Sequence, residues 1–338
     1  MNKPVFIIAE AGVNHNGSLD MALQLVNKAA EIGTDCVKFQ TFKAEQIVTN
    51  NSPKANYQLK VTDKEESQFD MLKKLELQKD DFKKIMLHCR EKNIKFLSTP
   101  YNKEDALLLN ELGVDAFKIA SGQLVETPFL RYVASFGKQM IISTGMANLA
   151  EVYAAVEAIR KTGNQNIVVL QCNTDYPSKI EDSNLKAMIT MRESLGIETG
   201  YSDHVPENYA CYAAVALGAA VIEKHFTLDK KLPGPDHSCS LEPDEFKELI
   251  DGIRSVEKSL GNGIKSPSAS EVKNTYGMRR SLVANTDLKA GTVLSEEHIG
   301  FKRPANGLSP NFLDNILGKK LIKDICKDEP FTLGIIEF

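Results

Sequence analysis

Several features that would place a sequence quickly are missing from this chain of 338 residues. No two cysteines are spaced CxxC, and none of the spacings is zinc-like, so neither a zinc ribbon nor a dithiol redox motif is written here. The N-terminal MNKPVFIIAEAG holds about five apolar residues before Glu10, short of a secretory core and far short of the ~20 that span a bilayer. An excess of positive charge is also missing: 41 basic residues face 45 acidic ones. With no global positive field, nucleic acid and anionic membranes are poor partners, and a small molecule is the better one. The expectation is a soluble cytoplasmic protein, with the six cysteines, at 36, 89, 172, 211, 239 and 326, read as free thiols.

What is present is a repeat. Short apolar runs end in polar residues at VFIIAEAG, CVKFQT, KFLSTP, AFKIASG, QMIISTG, IVVLQCN, ETGYSDH and AVIEKHF. Most are separated by helical stretches such as SLDMALQLVNKAAEIG and NLAEVYAAVEAIRKTG, opened by Ser or Asn and closed by Gly. Alternating strands and helices imply a parallel sheet, and eight such units predict a (β/α)₈ barrel over residues 1–262. The long gap at 42–95, with FDMLKKLEL as its helical part, is expected to lie as a loop over the barrel mouth, and ETGYSDH with Gly200 is the least strand-like member. Residues 263–277, rich in Gly, Ser and Pro, read as a linker. Residues 278–338, with turn signals every few positions, read as a small β-rich domain.

In a parallel barrel the chemistry sits where strands end, so their terminal residues are the candidates. These are Glu10, Asn14 and His15; Lys38 and Gln40; Ser98 and Thr99; Lys118 and Ser121; Ser143 and Thr144; Asn173, Thr174 and Tyr176; Ser202 and His204; and Glu223, Lys224 and His225. Two lysines among several hydroxyls suit an anion bearing phosphate and carboxylate, although a structural ion pair within the barrel is the alternative for either. His204 and His225 end neighbouring strands and could share a divalent metal, or be hydrogen-bonded core histidines. Asp236 and His237, in LPGPDHS, could add a ligand or an acceptor.

Taken in order, IAEAGVNHNGS, VKFQTFKAE, FLSTPY, FKIASG, IISTGM, CNTDYP, GYSDH, IEKHFTLDK, PGPDHS and KRPANG resemble the sialic acid synthase family nearly end to end. The resemblance implies a (β/α)₈ TIM barrel followed by an antifreeze-like (SAF) domain. It also implies condensation of phosphoenolpyruvate with an N-acylated mannosamine-type sugar, N-acetylmannosamine in the principal reading, to give N-acetylneuraminic acid and phosphate. By the same resemblance, Lys38, Thr99, Lys118, Ser121, Ser143 and Ser202 would hold phosphoenolpyruvate, and His204 and His225 would bind Mn²⁺ or Mg²⁺. Glu10 would meet the reacting end of the sugar, with Gln40, Gln123, Asn173, Thr174, Tyr176 and Asp236 around it. In a domain-swapped homodimer, Arg303 would reach the N-acyl group in the other barrel. Two positions depart from the family pattern: Gln123 stands where a carboxylate often does, and Asn173 comes one place early, leaving Thr174 at the expected ligand position.

The expected chemistry is attack of phosphoenolpyruvate C3 on a metal-polarised sugar aldehyde, capture of C2 by water and loss of phosphate. Legionaminic and pseudaminic acid synthases share it and differ in the sugar. A non-catalytic carbohydrate- or ice-binding protein would need a flat Thr-rich face that residues 278–338 lack. A barrel aldolase with a Schiff-base lysine is the remaining rival.

Overall fold

The computed structural model describes residues 3–49, 52–55, 58–63 and 65–338, without the side chains of Lys60 and Val61. The chain divides into two compact units, Met1–Gly261 and Asn262–Phe338. The first alternates strands and helices. They run β1 (Phe6–Gly12), α1 (Leu19–Glu31), β2 (Cys36–Thr41), α2 (Ala44–Ile47), α3 (Gln58–Val61), α4 (Gln68–Lys74), α5 (Lys79–Glu91), β3 (Lys95–Pro100), α6 (Lys103–Leu112) and β4 (Ala116–Ile119). Then follow α7 (Thr127–Ala134), β5 (Gln139–Ser143), α8 (Leu149–Arg160), β6 (Ile167–Cys172), α9 (Lys186–Leu195), β7 (Glu198–Asp203), α10 (Tyr209–Ala216), β8 (Val221–His225) and α11 (Pro243–Ser259).

The eight strands form one parallel sheet in the order β3-β2-β1-β8-β7-β6-β5-β4, and its two end strands pack side by side, giving a nearly closed barrel. Helices cover the outside because their apolar residues recur at helical spacing; in α1 these are Ala22, Leu25, Val26 and Ala29. Each fully buried Leu or Val there contributes about 1.5–3 kcal/mol. Local signals fix the helix starts: Ser18 caps α1, and Asn148 with Glu151 forms a capping box on α8.

Strand alternation puts every second side chain inside the barrel. Ile8, Cys36, Leu97, Ala116, Ile141, Leu170 and Val221 belong to the apolar cluster that fills its lower part. Two residues further along the same strands stand Glu10, Lys38, Thr99, Lys118, Ser143, Cys172 and Glu223, and Ser202 follows Gly200 in the same way on β7. All eight are buried. The barrel is therefore closed by an apolar plug with a polar layer above it, facing the strand ends.

Gly200 explains how the least strand-like segment is a strand after all. A Cβ at this position would collide with the carbonyl oxygen of Val221 on β8, so the close approach of the two backbones requires glycine. The segment between β2 and β3 corrects the sequence expectation. In place of one long loop it carries α2, α3 and α4 before the barrel helix α5, which begins after FDMLKKLEL at a Gln78–Asp81 capping box. Residues 50, 51, 56, 57 and 64 of that segment lie outside the described residues.

In the second unit, α12 (Ala269–Met278) occupies much of the stretch read as a linker. Ser268 and Glu271 form a reciprocal capping box, a local signal that the Gly, Ser and Pro content obscured. Strands β9 (Ser281–Ala284) and β10 (Ile299–Lys302) pair antiparallel over a small core that includes Leu282, Leu288, Leu294, Ile316 and Phe331. Among the described residues no helix is long and apolar enough to cross a membrane.

Candidate active site

The polar layer is knitted by charge. Lys38 Nζ lies 2.6 Å from Glu10 Oε2 and 3.8 Å from Glu223 Oε2. Lys118 Nζ lies 3.0 Å from Glu223 Oε1, which also accepts from Ser202 Oγ at 3.0 Å. Lys38 donates to Thr99 Oγ1 at 3.3 Å. Burial alone would push the Glu223 carboxyl up, but Lys118 and Lys38 outweigh it and hold its pKa at about 2. For Glu10 burial wins: its pKa is raised although Lys38 opposes, and Glu223 adds to the rise. The layer thus sets a firmly ionised carboxylate beside one whose proton affinity burial raises.

The layer is also incompletely satisfied. Ser143 Oγ, Glu223 Oε2, Gln123 Oε1 and His225 Nδ1 are buried without a hydrogen-bond partner, and Glu10 Oε2 has only its ion pair. Buried polar atoms normally find partners, so several orphans at one mouth mark a place that receives a polar ligand. Around Gly145, Ser121 Oγ accepts from the backbone N–H at 3.0 Å, and a Cβ there would strike both Ser121 Oγ and Thr174 Oγ1. Ser121 and Thr174 therefore meet at the β4, β5 and β6 ends.

On the other side, Gln40 Nε2 donates to Glu10 Oε1 at 3.2 Å, and Tyr101 OH donates to Gln40 Oε1 at 3.2 Å. Gln123 Nε2 donates to the Tyr101 carbonyl at 3.1 Å. The His204 and His225 ring centroids are 5.3 Å apart, and the Tyr176 ring lies 4.1 Å from that of His204 and 5.7 Å from that of His225. His204 Nδ1 is hydrogen-bonded to the Asn173 carbonyl. Burial, with His204 and Lys38 nearby, drives the His225 pKa well down, so that ring is neutral and keeps a lone pair. For His204 burial is overcome by Cys172 and the Asn173 carbonyl, and its pKa is raised. Burial and Glu10 lift the Asp236 carboxyl to about 7.

Not every candidate residue belongs to this cluster. Ser98 Oγ is paired with Thr41 Oγ1 at 2.7 Å, and Thr144 Oγ1 donates to the Leu170 carbonyl at 2.9 Å. Asn14 Nδ2 ties the β1 end to the Phe226 carbonyl and Ser240 Oγ, each at 2.9 Å. His237 is bonded to Thr227 Oγ1 at 2.7 Å and lies 3.3 Å from Asn16 Oδ1. Lys224 faces outward and pairs with Asp203. The Asn173 amide is turned onto the Asp182 carbonyl, so it is the main chain of Asn173 that meets His204. Arg303 lies in the second unit, where its Nε donates to the Met278 carbonyl at 3.0 Å. Two residues of the site were missed by sequence reasoning: Tyr101, which stands one place beyond the end of KFLSTP, and Cys172, which reads as a reduced thiol with no role in the site.

Comparisons with known proteins agree with this architecture. The model of the NeuB family matches residues 25–265, and that of the SAF domain residues 279–334. The chain is 49% identical over 329 residues to an N,N'-diacetyllegionaminic acid synthase of Campylobacter jejuni, covering 97% of this chain and 98% of that one. It is 42% identical over 320 residues to the enzyme of the same name from Legionella pneumophila, covering 94% and 90%. The crystal structure of an N-acetylneuraminic acid synthetase from Leptospira borgpetersenii superposes with a TM-score of 0.73 at 34% identity, covering 80% of this chain and 90% of that one. An eight-stranded barrel with a charged, unsaturated mouth, followed along the chain by a SAF domain, thus has a family: the chain belongs to the NeuB family of sialic acid synthases, enzymes of the condensing, transferase type.

Proposed function

We propose that the protein condenses phosphoenolpyruvate with the open-chain form of 2,4-diacetamido-2,4,6-trideoxymannose, giving diacetylated legionaminic acid and phosphate. The sugar is carried by one observation, the 49% identity over nearly the full length to a synthase of that product. N-acetylmannosamine, the sugar of the principal sequence reading, becomes the second candidate, favoured by the likeness to the Leptospira synthetase at 34% identity.

Lys38 and Lys118 would neutralise the carboxylate and phosphate of phosphoenolpyruvate, with Thr99, Ser121, Ser143 and Ser202 taking further oxygens. Gln40, Gln123, Asn173, Thr174, Tyr176 and Asp236 would line the sugar. The second unit would be exchanged in a homodimer, so that Arg303 of one protomer meets the N-acyl group held in the other's barrel. Phosphoenolpyruvate C3 forms the new bond to the aldehyde carbon, while Glu10, which burial makes ready to carry a proton, protonates the aldehyde oxygen. Water then adds at C2. Cleavage of the C2–O bond releases phosphate and leaves the 2-keto acid.

Two imidazoles at adjacent strand ends fit a divalent ion whose other ligands are oxygens: burial keeps His225 neutral, and His204, with Nδ1 on the Asn173 carbonyl, would offer its other nitrogen once the ion's charge displaces the proton that its raised pKa favours. Among the described residues no group of three or more His, Cys, Asp or Glu side chains is placed to hold a metal alone, so water and substrate would complete the shell. Mn²⁺ or Mg²⁺ held by His204 and His225 would supply Lewis acidity toward the aldehyde.

Phosphate release from phosphoenolpyruvate with Mn²⁺ tests the reading. The diacetamido sugar should give a kcat/KM at least about tenfold above that of N-acetylmannosamine, because buried amide-binding groups left unpaired are costly. Chelation by EDTA should suppress both. Equal or better turnover of N-acetylmannosamine would move the assignment to N-acetylneuraminic acid.

A further inference from the structure

The Tyr101 hydroxyl has no part in the reading above, yet it is built into the site with care. Its backbone is held twice, by Gln123 Nε2 on its carbonyl at 3.1 Å and by its own N–H donating to the Thr41 carbonyl at 3.3 Å. The ring packs edge-on against Phe42, with centroids 6.0 Å apart. So anchored, the hydroxyl reaches Gln40 Oε1 at 3.2 Å, and the other end of the same carboxamide donates to Glu10 Oε1 at 3.2 Å.

We propose that Tyr101 is a positioning residue that locks the Gln40 carboxamide in one orientation, with one N–H on Glu10 and the second directed to the sugar. A carboxamide can turn end for end, and which way it points is decided by its partners. Glu10 selects the orientation, because a carboxylate oxygen accepts only from the amide nitrogen, and the tyrosine hydroxyl then holds the oxygen end in place. Glu10 accepts from the nitrogen, and the tyrosine hydroxyl, kept protonated by burial and then by the nearby Glu10, Asp236 and Glu223, donates to the oxygen. Remove the hydroxyl and the amide is held at one end only. The oxygens of phosphoenolpyruvate fall to Lys38 and Lys118, so the effect belongs to the sugar side of the reaction.

The inference rests on the proposed condensation and is tested with it, in the full-length protein, using phosphoenolpyruvate and the two candidate sugars. Tyr101→Phe removes one oxygen and keeps the ring packing. It should lower kcat/KM for the sugar about tenfold, the scale of one lost hydrogen bond. KM for phosphoenolpyruvate should stay within about twofold. Gln40→Met should cost at least as much, and the double variant no more than Gln40→Met alone, because both substitutions break one unit. Unchanged sugar kinetics in Tyr101→Phe, fully additive losses in the double variant, or a parallel rise in KM for phosphoenolpyruvate would each overturn the positioning role while the condensation stands. Wild-type protein that released no phosphate with either sugar would overturn the condensation, and the inference with it.

Discussion

Glu223 and Lys224 are neighbours on β8, both buried and both in ion pairs, yet they serve opposite ends. Lys224 points out of the barrel, where its ammonium meets Asp203 Oδ2, the Val205 carbonyl at 2.6 Å and the Glu207 carbonyl at 2.8 Å. An ammonium has three protons, and here each has an acceptor. Asp203 is equally occupied, accepting from the Val205 N–H at 3.0 Å and the Cys211 thiol at 3.1 Å. Glu223 points inward, where Oε1 holds Lys118 and Ser202 but Oε2 has no hydrogen bond. A saturated buried pair holds two elements together and has nothing left to offer. An unsaturated one keeps capacity for a ligand, at the cost of desolvation that the protein alone does not fully offset.

The comparison breaks most visibly on the outer pair. Lys224→Met strands the Asp203 carboxylate, whose side chain is fully buried, and should destabilise the protein by about 3–5 kcal/mol in denaturant unfolding. A loss below about 1 kcal/mol would mean that the outer pair is not structural.

A smaller effect, tied to pH, sharpens the description of the inner site. Burial and Glu10 raise the Asp236 carboxyl from 3.8 to about 7 in the folded state. The folded protein therefore binds this proton more tightly than the unfolded chain does. The stabilisation is complete below pH 3.8 and fades as pH rises through about 7. Asp236→Asn should accordingly raise the unfolding free energy of the metal-free protein at pH 8 by about 2–4 kcal/mol and change it little at pH 4. Equal effects at both pH values would show that the carboxyl is not desolvated as described.

Much of this was legible in the sequence. The strands showed as apolar runs, and their polar ends named Glu10, Lys38, Lys118 and His225 because a parallel barrel brings all strand ends to one rim. Which side chains face inward is also in principle legible. Period-two alternation places Glu223 and His225 on one face of VIEKHFT and Lys224 on the other. The rest depended on contacts between distant segments. Alternation also sets Ser98 and Thr144 on the opposite face from Thr99 and Ser143, but their partners, Thr41 Oγ1 and the Leu170 carbonyl, come from other strands and show only in the packing. Tyr101 gains its role from Gln40, 61 residues away. The helix at 269–278 was hidden because composition outvoted a capping box.

The central claim is that the unsaturated inner layer is the anion site. Calorimetric titration of phosphoenolpyruvate into wild-type protein and into Lys118→Met tests it most directly, with denaturant unfolding measured alongside. The account predicts that wild type binds, that Lys118→Met binds about a hundredfold more weakly, and that the variant still folds cooperatively. Equal affinity in a folded Lys118→Met protein would place the anion elsewhere and contradict it.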